Sequence, residues 1–151
     1  MNTTTEGGQT ITGIAATGNG SFIVIWQGYG LGDDYGVFSQ RYGLPPKIGS
    51  FTASANPVTA GSSETLTASN LTDTNPGNTI TQVAFYVDST GDGKLEPGSD
   101  TLLGYATQTS PGVWTFAFTV TLAPGSYTLF AQAQDSYGVF SDPLALNLIV
   151  Q

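Results

Sequence analysis

The 151 residues carry eleven acidic side chains against three basic ones, Arg41, Lys47 and Lys94, giving a formal charge of -8 with no histidine and no cysteine. So few cations exclude a phosphate-tracking surface and with it nucleic acid as a partner; anionic membrane surfaces are disfavoured, and the longest apolar runs, such as Phe22 to Trp26, are too short to insert in a bilayer. The missing residue types also remove disulfides, thiolate and imidazole metal sites, cysteine nucleophiles, Ser-His-Asp triads and the usual neutral-pH base, so we expect no enzyme.

Threonine, valine, phenylalanine and tyrosine are plentiful, with twenty glycines and eight prolines, and no stretch has helical apolar spacing. An all-β chain follows. Its first residues, Met-Asn-Thr-Thr-Thr-Glu, lack the features of a secretory leader, which predicts an excised piece or a signal located elsewhere. Three strands are predicted next, at Gln9 to Thr17, Ser21 to Gln27 and Gly36 to Tyr42, with Gly18-Asn19-Gly20 as a tight turn. Phe22, Val24 and Trp26 alternate with Ile23 and Ile25, so the middle strand needs cover on both faces. A three-stranded sheet is marginal alone, which implies docking, pairing with another chain through its free edges, or truncation from a longer array. Adjacent Asp33 and Asp34 point to opposite faces of an extended chain and make a poor acid and base pair.

Leu44-Pro45-Pro46-Lys47 is the strongest punctuation, because two prolines fix an extended backbone and donate no ladder bond. It divides a β-rich fragment, residues 1–43, from a domain at 44–151. In the latter we predict seven strands: Ile48 to Ala53, Glu64 to Asn70, Gln82 to Asp88, Thr101 to Ala106, Val113 to Leu122, Tyr127 to Gln134 and Leu144 to Val150. Seven short amphipathic strands in about a hundred residues are what a two-sheet sandwich requires. The expected core is Leu66, Val83, Phe85, Val87, Leu103, Trp114, Phe116, Phe118, Leu129, Leu146 and Leu148.

Between the third and fourth of these strands, Asp88 to Asp100 holds four acidic side chains on one loop. Asp88, Thr90 and Asp92 alternate ahead of Gly93, as in a calcium loop, with the Lys94 carbonyl next and Glu96 or Asp100 to close the shell. Without a cation the loop keeps about three uncompensated negative charges within roughly a nanometre. Counting from Asp88, position twelve is Ser99 rather than glutamate and the flanks are strands, so this is no EF-hand. The plainer reading is a solvated hairpin loop that is acidic because the whole chain is.

The run Ala123-Pro-Gly-Ser-Tyr-Thr-Leu-Phe-Ala-Gln-Ala-Gln-Asp-Ser-Tyr-Gly138 resembles the late strands of bacterial Ig-like and fibronectin type III-like modules, and Val83-Ala-Phe-Tyr-Val-Asp88 with Asp100-Thr-Leu-Leu-Gly104 resembles one subtype of them, over roughly residues 45–151. The resemblance implies a seven-stranded sandwich in a large extracellular or surface protein, in tandem with neighbouring modules, with calcium stiffening in some relatives. It also implies a tyrosine corner at Tyr127 and a core aromatic at Trp114. Gly20-Ser-Phe-Ile-Val-Ile-Trp-Gln27 and Tyr35-Gly-Val-Phe-Ser-Gln-Arg-Tyr42 resemble a propeller-like repeat of exported bacterial proteins. One copy cannot close a propeller.

Tyr-Gly-Val-Phe-Ser occurs twice, at residues 35–39 and 137–141, each time after a Ser-aromatic strand. We expect coincidence of composition rather than a structural repeat, and unlike backbone paths at the two copies would decide it. Function is thus expected to be structural or adhesive, with calcium at Asp88 to Asp100. The alternative is carbohydrate binding through Tyr29, Tyr35, Tyr42, Tyr86, Tyr105 and Tyr137, which predicts two or three rings on one exposed face, with a glycan or a surface protein as partner.

Overall fold

The computed structural model describes residues 8–16, 22–30, 33–75 and 77–151. The chain is all β and divides into two units, Met1–Leu44 and Pro45–Gln151. In the first unit β1 (Gln9–Ala16), β2 (Phe22–Gly30) and β3 (Asp33–Tyr42) form an antiparallel sheet in that order. The register places Ile11, Trp26 and Phe38 in one row and Phe22 beside Tyr42, whose rings stack at 5.0 Å. Ile23, Ile25 and Val37 take the other face, as period-two alternation requires. The turn predicted at Gly18-Asn19-Gly20 lies outside the described residues.

The second unit has eight strands rather than the seven expected: β4 (Ser50–Ala53), β5 (Ser63–Ser69), β6 (Ile80–Val87), β7 (Thr101–Tyr105), β8 (Thr107–Ser110), β9 (Val113–Thr119), β10 (Gly125–Asp135) and β11 (Leu144–Val150). They form two four-stranded antiparallel sheets, β11-β10-β6-β7 and β4-β5-β9-β8. The extra strand is β8. Its Thr-Gln-Thr-Ser is exposed throughout, so it carries no apolar period, and it leaves the sheet of β7 at Ala106 to pair with β9 in the other sheet. A second crossing follows β4. After residues 54–57, which include a cis Asn56–Pro57 peptide, the chain joins the opposite sheet through a parallel bridge between Val58 and Val150. The long strand predicted to Leu122 stops at Thr119, but Val120 stays buried and Leu122 packs on the core.

Between the sheets lie Leu66, Val83, Phe85, Val87, Trp114, Leu129 and Leu148, all buried, while the expected core residues Leu103, Phe116, Phe118 and Leu146 are half-buried against them. Phe51, Val58, Ala68, Leu71, Val120, Ala131, Ala133 and Val150 complete the cluster. The valine, leucine and phenylalanine side chains contribute about 1.5–3 kcal/mol each on full burial, which offsets chain entropy without disulfides. The Phe51 and Phe85 rings stack at 5.1 Å. Packing leaves no room for a side chain at Gly104, where an added Cβ would sit 2.4 Å from Cζ of Phe116.

Two polar devices fix the loops. Tyr127 Oη donates to the Ala123 carbonyl at 2.9 Å, the tyrosine corner expected before β10. Glu64 is fully buried in β5 on the same side as Leu66, a charge where the pattern favours an apolar residue. Its Oε1 accepts from the Ser54 N–H and Oγ, both at 2.5 Å, and from the Thr65 N–H at 2.8 Å; Oε2 accepts from the Ala55 N–H at 3.1 Å. A buried carboxylate is tolerated only with such a shell of donors.

Candidate functional site

The Asp88 to Asp100 loop links β6 to β7. Asp88 leaves β6 with its carboxylate turned back over the loop: Oδ1 accepts from the Gly91 N–H at 2.6 Å and Oδ2 from the Gly93 N–H at 2.9 Å. Gly91 and Gly93 both have positive φ, 74°, which aims those amides inward. Thr90 Oγ1 lies 3.2 Å from an oxygen of Asp88 and 3.2 Å from one of Asp92, so the structure does bring these three predicted residues together. Partial burial raises the Asp88 pKa, but the N–H groups of Gly93 and Gly91, helped by Thr90, more than reverse this and hold it below the usual carboxylate value.

The rest of the predicted shell is used differently. Asp100 is buried at the base of the loop, its Oδ1 accepting from the Ser89 N–H at 2.9 Å and its Oδ2 from the Glu96 N–H at 2.7 Å. Both oxygens brace the loop from within. Lys94 donates its N–H to Asp92 Oδ1 at 2.9 Å, and Glu96, exposed, lends its carbonyl to the N–H groups of Ser99 and Asp100. Among the described residues no three carboxylates gather closely enough to hold a metal ion.

A second acidic knot, unforeseen from the sequence, lies at the opposite pole of the sandwich. Asn78 Nδ2 donates both hydrogens, to Asp73 Oδ2 at 2.8 Å and to Asp135 Oδ2 at 2.6 Å, while its Oδ1 accepts from Ser136 Oγ. Asp135, almost wholly buried, also accepts from the Tyr137 and Val139 N–H groups, and Asp73 accepts from the Asn75 N–H. The Asp/Asn-rich turn Asp73-Thr-Asn-Pro-Gly-Asn78 was the available signal. Beside the knot is a cleft of about 290 Å³ lined by Asp73, Asn78, Gln108 and Trp114 among others. The Trp114 Nε1 is buried and has no hydrogen-bond partner.

The tyrosines of the sandwich do not form one platform. Tyr86 points out of β6 and is half-buried; burial, and then the neighbouring Tyr105, push its phenol pKa up. Tyr137 lies apart on the loop after β10, and Tyr35 and Tyr42 belong to β3 in the other unit. The side chain of Tyr29 lies outside the described residues. As for the doubled Tyr-Gly-Val-Phe-Ser word, its first copy is extended in β3, whereas the second turns through Gly138 at φ 79° outside any strand. The backbone paths differ, as expected of a chance likeness.

No protein family matches the sequence, and no curated protein does. Among solved structures, the chain is similar to the superoxide reductase (neelaredoxin) from Ignicoccus hospitalis at 16% identity and a TM-score of 0.47, over 72% of this chain and 81% of that one. It is also similar to an S-layer protein, SbsC domains 4 and 5, at 13% identity and a TM-score of 0.36, over 87% and 65%. The fibronectin(III)-like modules of Clostridium thermocellum CbhA match at 14% identity and a TM-score of 0.50, over 89% of this chain and 64% of that one. None of these comparisons supports the propeller-like repeat in the first unit. Two sheets of antiparallel strands, two strand crossings and the CbhA likeness make this an all-β, fibronectin III-like sandwich with an additional amino-terminal sheet.

Proposed function

We propose that the chain is a non-catalytic structural module of an exported protein, one that spaces and presents neighbouring modules. The observation that carries this reading is where the carboxylates point. Glu64, Asp73, Asp88, Asp92, Asp100 and Asp135 each accept backbone N–H groups of nearby loop or strand ends. Side chains that could have supplied a general acid or base instead hold turns in shape. An acidic surface poor in lysine and arginine suits the exterior of a cell, where it keeps the chain soluble and offers few tryptic sites.

The test is thermal unfolding of the 151-residue chain carrying Asp100→Asn or Asp135→Asn. Braces lower the midpoint when neutralised, because each loses charge-assisted bonds to part-buried backbone amides. Residues kept for catalysis or ligand binding often do the reverse, since stability is given up for function at such sites. A raised midpoint in either variant would overturn the reading.

A narrower reading adds a calcium ion at Asp88, Thr90 and Asp92, favoured by the convergence of their oxygens across Thr90 Oγ1. A ligand at a hundred times its dissociation constant stabilises by about 2.7 kcal/mol. Millimolar calcium, but not magnesium, then raises the unfolding midpoint over that in chelator, and Asp92→Ala abolishes the rise. Equal midpoints in all three solutions remove the ion and leave the module.

A further inference from the structure

Three sheets leave six outer strands, and five of them are guarded. β4 and β8 are only four residues long, and β7 has five with a shift of register between Phe85 and Tyr86. β11 is partly covered by the parallel bridge from Val58, and β1 slips register between Ile11 and Gly13. Short, bulged or covered edges are the devices by which sheets avoid pairing with other chains. β3 has none of them over residues 36–42, which follow β2 in unbroken register and include no proline. Among the described residues no strand pairs with its outer side. Val37 is 75% exposed, and Ser39 and Gln40 are exposed beside it.

The order of residues in β3 fits an inverted copy of itself. The strand opens on Asp33 and Asp34 and nears its end with Arg41. A parallel neighbour would set acid beside acid and base beside base, whereas an antiparallel one turns the acidic start of each strand toward the basic end of the other. Directly opposed residues of antiparallel strands alternate between two pair types, so a two-fold axis has to pass between a residue and its own copy. Residues 36–42 all pair when that residue is Ser39, their midpoint. Across the two copies Phe38 then meets Gln40, Val37 meets Arg41 and Gly36 meets Tyr42. No like charges are opposed, and the glycine gains an aromatic neighbour, which compensates its missing side chain.

We infer that two copies of this chain join edge to edge through β3, antiparallel and centred on Ser39, so that two marginal three-stranded sheets become one of six strands. The chain has no cysteine, so a single introduced thiol reports the register. In Ser39→Cys the paired Cα atoms lie about 4.5–5.5 Å apart, within the reach of a disulfide, which ends near 7 Å. In Val37→Cys they are offset by four residues along the strands and lie roughly 14 Å apart, beyond that reach. Under mild oxidation of the full chain, Ser39→Cys is expected to become a covalent dimer about tenfold faster than Val37→Cys. Sedimentation velocity of the wild type is expected to show a monomer–dimer equilibrium. Ser39→Lys, which opposes two ammonium groups across the axis, shifts it to monomer. Equal rates of cross-linking for the two cysteine variants overturn the pairing, as does a Ser39→Lys chain that dimerises like wild type. A wild-type chain that stays monomeric up to about a millimolar overturns it as well.

Discussion

Replacing Glu64 by glutamine preserves the volume of a fully buried side chain and removes its charge together with one acceptor oxygen. The remaining carbonyl can still serve Ser54, whose N–H and Oγ both reach Oε1 at 2.5 Å. The new amide must then occupy the place of Oε2 and face the Ala55 N–H, donor against donor, where the carboxylate accepted at 3.1 Å, leaving that N–H only its longer 3.3 Å contact to the retained oxygen. Hydrogen bonds to a charged group contribute about 1.5–3 kcal/mol, and a donor left poorly paired costs up to about 1–3 kcal/mol, toward the lower end for the part-buried Ala55 N–H. Because the surviving bonds overlap with the lost ones, a net loss of about 2–4 kcal/mol is expected, against total stabilities of roughly 5–15 kcal/mol. In a domain of about a hundred residues each kcal/mol moves the midpoint about 4–8 °C, so the transition should fall by roughly 10–25 °C. Differential scanning calorimetry of the whole chain reads this directly. A cycle with Ser54→Ala measures how much of the loss passes through that one partner. A shift below about 3 °C would refute the reasoning, since it would mean that the carboxylate contributes little more than its packed volume.

Three further outcomes follow from the same structure. Tyr127→Phe removes the bond to the Ala123 carbonyl and should cost about 0.5–1.5 kcal/mol in calorimetry, with an unchanged midpoint counting against the corner as a support. Gly104→Ala places a Cβ 2.4 Å from the Phe116 ring and should cost about 1–3 kcal/mol by overpacking, whereas Gly98→Ala, with nothing within 4 Å, should be close to neutral. Asp88 has a folded pKa below its ordinary value of 3.8, so the stability it contributes is present above that value and is lost as pH falls through the lowered one. Urea midpoints from pH 5 to pH 2 should therefore fall less steeply in Asp88→Asn than in wild type, and parallel acid limbs would show that the Gly91 and Gly93 amides do not favour the charged form.

The strands that read clearly in the sequence are those with one buried face. β9, with Trp114, Phe116 and Phe118 alternating against threonine and alanine, could hardly be missed. β8 had no such pattern because neither of its faces is buried. Ala131 and Ala133 escaped the expected core because their small side chains carry little apolar signal, although both are fully buried on the central strand β10. In the acidic loop, composition showed which residues would gather but not which way the oxygens would face; Asp100 turned inward to its own backbone. The features hardest to foresee join residues far apart in the chain. Asn78 meets Asp135, and Asn56 meets Ile149, through side-chain bonds that leave no local trace in either segment.

The polarity of β8 has a consequence for how such chains coexist at high concentration. An outermost strand offers a row of unused amides and carbonyls to any chain that approaches it, which is the usual route to runaway sheet growth. Here that rim is Thr107-Gln-Thr-Ser110, four residues long, hydrated on both sides and broken in register between Gln108 and Ser110. A docking strand would find little apolar surface to cover and an interrupted ladder to extend. Sheet growth through this rim, one of the six outer strands of the three sheets, would gain little.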